Sequence, residues 1–248
     1  MIKKTTLLVL GIFIFIASPA WAQEKTIKFA TDSTWPPMEF VDANKDIVGF
    51  AIDYMNAAGK EAGFKPVFMA VAWDGIFAGL DVGKYDAICS SVSITEERKK
   101  VMSFSEPYFR VRQAVIVQKS SSAKSLEDLK GKKVGSQINT TGTFAVKAVK
   151  GVISKTYDEV GLAIEDLFNG RIAAVVCDDP VAANYALANE KYKKTLKIAD
   201  VIETNEVEYY GIAVKKGNKE ILDLVNKGIK AVEAKGLDKK LKEKWIGK

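Results

Sequence analysis

Arg98 closes a run of hydroxyl and acidic residues, Ser90-Ser91-Val92-Ser93-Ile94-Thr95-Glu96-Glu97-Arg98, that leaves a short apolar stretch at residues 86–88. The apolar stretch reads as a buried strand, and Thr95 as the N-cap of a helix beginning at Glu96. Such a turn directs free backbone N–H groups and a helix N-terminus at one spot, which suits an anion. Arg98, in the first helical turn, adds a planar fork that can hold a carboxylate by two parallel hydrogen bonds. An ordinary capped helix with a solvated arginine is the plainer reading of the same residues. Three other junctions of this kind follow in the sequence. Asp32 and Trp35 leave a strand at residues 26–30 in a loop stiffened by Pro36 and Pro37. Thr141 stands in Ser136–Thr143, which ends one strand and opens a helix, and a strand at 172–176 runs into Cys177-Asp178-Asp179-Pro180. In open α/β sheets the carboxyl ends of strands are where ligands bind.

The elements that must position these groups follow from periodicity and breakers. Residues 49–62 read as a helix ended by Gly63, and 66–71 as a strand. Trp73 follows in a loop before a helix at 76–82 capped by Asp74. A strand at 112–117, a polar link at 119–124 and a new strand at Gly131–Gly135 mark a second lobe. A helix at 158–169, a returning strand at 208–214 and helices from Lys219 and Leu237 complete the chain, with Trp245 packing on the first lobe.

Composition removes several classes of function. The chain of 248 residues has no histidine, so the commonest general base and zinc ligand are missing. Cys89 and Cys177 lack metal-type spacing, and no G-x-S-x-G turn is present. Neither a metal nor a cofactor is expected. Residues 1–22 read as a secretory signal peptide: Lys3 and Lys4, an apolar run at 7–17, then Ala20-Trp21-Ala22, with Gln23 as the first residue after cleavage. The apolar run is shorter than the roughly 20 residues a membrane span needs. No cysteine stands near the cleavage site, so no lipid anchor is expected. Without Lys3 and Lys4, 35 of the 37 basic residues remain against 31 acids, about +4. The charges are scattered, and the basic stripe interleaved with aromatics that nucleic acid would want is absent.

The runs SSVSITEER and FSEPYF resemble the signature of the polar amino-acid solute-binding proteins (family 3) that feed bacterial ABC importers. The likeness is greatest to the lysine/arginine/ornithine/histidine-binding branch, and it extends from about Ile27 to Trp245. It implies a two-lobed α/β periplasmic-binding-protein fold of type II, with the lobes joined by two crossing hinge strands near 109–114 and 206–211. Lobe 1 would be discontinuous, 23–110 plus 208–248, and lobe 2 would be 111–207. By the same resemblance Arg98, the Ser93–Thr95 turn and Thr141 take the α-carboxylate of a free amino acid, and Asp178 takes its α-ammonium. A one-residue shift would give that role to Asp179. Trp35 and Trp73 clamp the side chain, Asp32 meets its far end, and Ser90 and Ser91 lean toward the basic-ligand branch. Asn139 departs from the family's usual G-T-T. Cys89 and Cys177 would fall on opposite lobes, which disfavours the disulfide an exported chain could otherwise form.

The implied product is a monomeric periplasmic binding protein partnered by a membrane permease, not an enzyme. Glutamine or another polar amino acid is the alternative ligand. A cyclohexadienyl-dehydratase-like enzyme on the same fold and a ligand-loaded partner of a sensory receptor are the alternative functions.

Overall fold

A computed structural model describes residues 25–203 and 206–247; the signal-peptide segment and Gln23 lie outside the described residues. The strands form two five-stranded sheets, and one cluster of buried side chains runs from the first to the second. The first runs in the order Phe64–Ala70, Lys25–Thr31, Ala87–Ile88, Ala213–Lys215, Met102–Phe104. Its first three strands are parallel, and Ala213–Lys215 is antiparallel to both neighbours. The second runs Ile153–Tyr157, Lys133–Gln137, Ala174–Asp178, Gln113–Gln118, Leu196–Ile202. Here too the first three are parallel, and Gln113–Gln118 is antiparallel to the strands on either side. Parallel strands covered on both faces need continuous apolar sequence. Ala174 to Cys177 and Ala87-Ile88 supply it, and all are buried.

The first sheet takes strands from both ends of the chain and the second only from its middle, so the chain crosses between them twice. At the crossings Phe109–Val111 pairs antiparallel with Glu208–Tyr210. Phe109 stacks on Tyr210 at 5.6 Å between ring centroids, and Phe50 meets the edge of Phe109 at 5.1 Å. The returning segment expected as one strand is therefore two: Glu208–Tyr210 belongs to the crossing and Ala213–Lys215 to the first sheet. The helix Ile76–Asp81 also differs from expectation, because Gly75 in the left-handed region precedes it and Asp74 does not cap it. Residues 125–129 form a 3-10 turn at Glu127–Leu129.

Helix Phe50–Ala62 lies against Lys219–Ala234 through small residues. A Cβ on Gly228 would stand 2.6 Å from the Ala58 carbonyl oxygen. Gly228→Ala therefore forces two helices apart and should cost about 1–3 kcal/mol, read as a lowered midpoint of thermal unfolding. Trp245, on helix Leu237–Trp245, packs edge-on against Phe40 at 5.9 Å, and its indole N–H donates to Asp53 Oδ2 at 2.8 Å.

Candidate functional site: an interlobe ligand cleft

The strand ends named from sequence converge between the lobes. One cavity with about 310 Å³ of non-protein space is lined by Asp32, Trp35 and Trp73, by Ser90, Ser91, Ser93 and Arg98, and by Thr141 and Asp178. All nine residues singled out in the sequence thus meet in one place. Glu39, Gln137 and Thr140 line the same cavity and were not foreseen.

On the first lobe, the Asp32 backbone N–H donates to Ser90 Oγ at 2.8 Å, tying two strand ends together. The Asp32 carboxylate accepts from Thr34 Oγ1 at 2.8 Å and from Gln137 Nε2, across the cleft, at 2.7 Å. Short strands Thr34–Trp35 and Glu39–Val41 set Trp35 opposite Glu39. Thr95 caps the helix Glu96–Val101 as expected, accepting from the Arg98 backbone N–H at 3.2 Å. The guanidinium then donates to one carbonyl from each lobe, Ser93 O at 2.9 Å and Asn139 O at 3.0 Å. It also lies 5.6 and 5.2 Å from the ring centroids of Trp73 and Phe77, a favourable place for a cation. Two of its five donors are used in this way, and the other three make no hydrogen bond to the described residues.

On the second lobe, Asn139 adopts φ 56°, a conformation asparagine tolerates. The departure from G-T-T therefore leaves the turn intact: Thr140 caps helix Thr141–Ala148, and Thr141 Oγ1 sits 3.4 Å from Ser93 Oγ. The two possible aspartates separate clearly. Asp178 is 5 % exposed and accepts from Gln113 Nε2 at 2.6 Å, Trp35 Nε1 at 3.3 Å and the Tyr210 hydroxyl. Asp179 turns away and accepts from the Arg112 backbone N–H at 3.1 Å and from its side-chain Nε at 3.4 Å. Asp179→Asn should leave ligand affinity within about twofold, whereas Asp178→Asn should cost about a hundredfold or more, both by calorimetry.

The cleft carries an excess of acid. Burial pushes the Asp178 carboxyl up to about 7, reinforced by the neighbouring charge of Glu208. Burial also raises Asp32. Glu39 lies fully buried, and burial raises it well above the ordinary carboxylate range. One of its oxygens accepts from Ser91 Oγ at 2.9 Å, and the other has no hydrogen-bond partner among the described residues. Burial pulls Arg98 down to about 10, opposed by Glu208 and Asp178, so it stays cationic at neutral pH.

Glu208, on the crossing strand, was missed in the sequence. It accepts from Ser93, from Thr141 Oγ1 at 2.7 Å and from Gln113 Nε2 at 3.3 and 3.4 Å. The available signal was the two-residue period of a strand, which puts Glu208 and Tyr210 on one face. Cys89 and Cys177 are buried free thiols.

Among the described residues no cluster of three or more metal-ligating side chains is present, and no helix is long and apolar enough to cross a membrane. Comparison with known proteins agrees with this geometry. The family model for bacterial extracellular solute-binding proteins, family 3, matches residues 27–248. A probable histidine-binding protein of Neisseria gonorrhoeae is 35% identical, over 94% of this chain and 87% of that one. The ABC transporter arginine-binding protein 1 of Escherichia coli K12 is also 35% identical, over 96% of each. An ancestral arginine-binding protein, solved with glutamine bound, is 44% identical with a TM-score of 0.83, covering 90% of this chain and 98% of that one. With that match spanning both lobes and the cleft between them, the chain belongs to the bacterial extracellular solute-binding proteins, family 3.

Proposed function

We propose that this chain is the periplasmic substrate-binding component of an amino-acid ABC importer, and that it closes on a basic amino acid: arginine, lysine, ornithine or histidine. One observation carries the choice of ligand: a single fixed cation, Arg98, faces a cleft lined by the acids Asp32, Glu39 and Asp178. An amino acid with a cationic side chain supplies one carboxylate and two positive groups, which suits that balance; glutamate and aspartate oppose it. Arg98, Ser93 and Thr141 take the α-carboxylate, with Ser90 and Ser91 contributing polar atoms beside it. Asp178 takes the α-ammonium. Trp35 and Trp73 hold the side chain, and Asp32 meets its distal cation.

The lobes divide at 23–110 plus 208–248 and at 111–207. A ligand touching both favours the closed arrangement because it has its full set of contacts only there. Hydrogen bonds already span the cleft between Trp73 Nε1 and Ile138 O at 2.8 Å and between Gln137 and Asp32. The protein acts as a monomer that hands its ligand to a membrane permease, and it performs no chemistry on it. Glutamine is the second reading, favoured by the similar ancestral protein with glutamine bound and by the amide-tolerant pair of Asp32 and Gln137.

Thermal unfolding against the twenty amino acids, ornithine and prephenate tests both. A ligand at about 100 times its dissociation constant adds about 2.7 kcal/mol, a rise of several degrees for this length. A rise with the basic amino acids supports the reading. A rise with glutamine alone replaces the ligand, and consumption of prephenate replaces the function.

A further inference from the structure

Glu208 is hydrogen-bonded to residues at both ends of the proposed α-carbon site. Ser93 and Thr141, the hydroxyls that face the α-carboxylate, both donate to its Oε1, from opposite lobes. Gln113 Nε2 bridges it to Asp178, the acid that faces the α-ammonium, at 2.6 Å to Asp178 Oδ1 and 3.3 Å to Glu208 Oε2. Pairing of Glu208 with Val111 fixes it on the crossing strand, so it belongs to neither moving sheet. A carboxylate held there repels the α-carboxylate and attracts the α-ammonium. For a complete amino acid the two effects largely offset. For a ligand that has the carboxylate but not the ammonium, only the repulsion is left.

We infer that Glu208 makes the cleft select α-amino acids over their des-amino acids, by disfavouring a carboxylate that arrives without its neighbouring ammonium. This rests on the proposed reading of the cleft as an amino-acid site. Its electrostatic reach is visible in both neighbours, since its charge supports the Arg98 cation and disfavours the Asp178 anion.

The test is calorimetric titration of the wild-type protein and Glu208→Gln with three ligands. These are arginine, 5-guanidinopentanoate (no α-ammonium) and agmatine (no carboxylate). The glutamine side chain keeps the shape and an acceptor oxygen but not the charge. Arginine affinity should change by less than about threefold, 5-guanidinopentanoate should tighten by about tenfold, and agmatine should weaken by about tenfold. Shifts of opposite sign cannot come from a general loosening of the site. If all three ligands move the same way by similar factors, Glu208 is only a scaffold and the inference fails. If the wild-type protein takes glutamine and no basic amino acid, the basic-ligand reading fails on its own. The same comparison is then made with glutamine and 4-carbamoylbutanoate. If no amino acid binds, both fall together. Glu208→Thr, which suits an extended strand, replaces the glutamine variant should that one not fold.

Discussion

Arg98→Ala should abolish amino-acid binding, weakening it by about a thousandfold or more. Truncating one partner of a buried, hydrogen-bonded charge pair costs about 2–5 kcal/mol, and Arg98 is the cation proposed to hold the ligand's carboxylate. The loss has a second part. The guanidinium joins Ser93 O on one lobe to Asn139 O on the other, so alanine also removes a contact that favours closure. Arg98→Lys restores the charge but not the planar fork, and a single ammonium does not reproduce that bridging geometry. An intermediate loss of about a hundredfold is expected. Calorimetry gives the affinities, and the unfolding midpoint of the ligand-free variants gives the control. A midpoint within a few degrees of wild type separates lost binding from lost fold. Retained affinity in Arg98→Ala would remove Arg98 from the carboxylate role.

Affinity should also fall as the pH drops below about 7. Burial, with Glu208 nearby, raises Asp178 from its ordinary 3.8 to about 7, so the free protein holds a proton there in mildly acidic solution. An α-ammonium placed against that carboxyl stabilises the anion and lowers its pKa in the complex. The complex therefore binds fewer protons than the free protein, and affinity rises with pH through this range. The limiting slope from this one group is about tenfold per pH unit. Asp32 and Glu39 are raised by burial as well and act in the same direction wherever a ligand cation meets them. Titrations at pH 5, 6, 7 and 8, repeated in buffers of different ionisation enthalpy, measure both the slope and the proton released. A flat profile would mean that Asp178 is already ionised before the ligand arrives. Asp178→Asn should remove its part of the slope together with most of the binding.

What could be read from the sequence was whatever is encoded over a few neighbouring residues. The Ser90–Arg98 run is a strand end, a turn, an N-cap and the first turn of a helix within nine positions. Each step has its own local chemistry, so Arg98 could be placed before any tertiary contact was known. The same holds for Asp32 and Trp35 beside two prolines, for Thr141 at a helix start, and for the restart of strand and helix after Gly131. These junctions stand at strand ends, and strand ends of an open α/β sheet are where a ligand site forms. Together with the family resemblance that these runs carry, they give the fold class and the nine cavity residues.

Tertiary structure decided the rest, because it depends on which distant groups share a small space. Which of Asp178 and Asp179 faces the cleft turns on one residue of register, and a one-residue shift reverses the face of a strand. Only pairing with Gln113–Gln118 sets it. Glu39 carries no local mark of its place in the cleft: its partner Ser91, 52 residues away, meets it only in the folded interior. Gln137 meets Asp32 across 105 residues, and Glu208 meets Ser93 across 115. The charge balance of the cleft, on which the proposed preference for a cationic ligand rests, comes from such long-range meetings. Burial is what makes those carboxyls matter. A solvated glutamate shows little of its charge to a neighbour, whereas one withdrawn from water beside a second acid acts strongly on both its neighbour and its ligand. No local pattern encodes that withdrawal, since it exists only once two lobes close over the same few side chains.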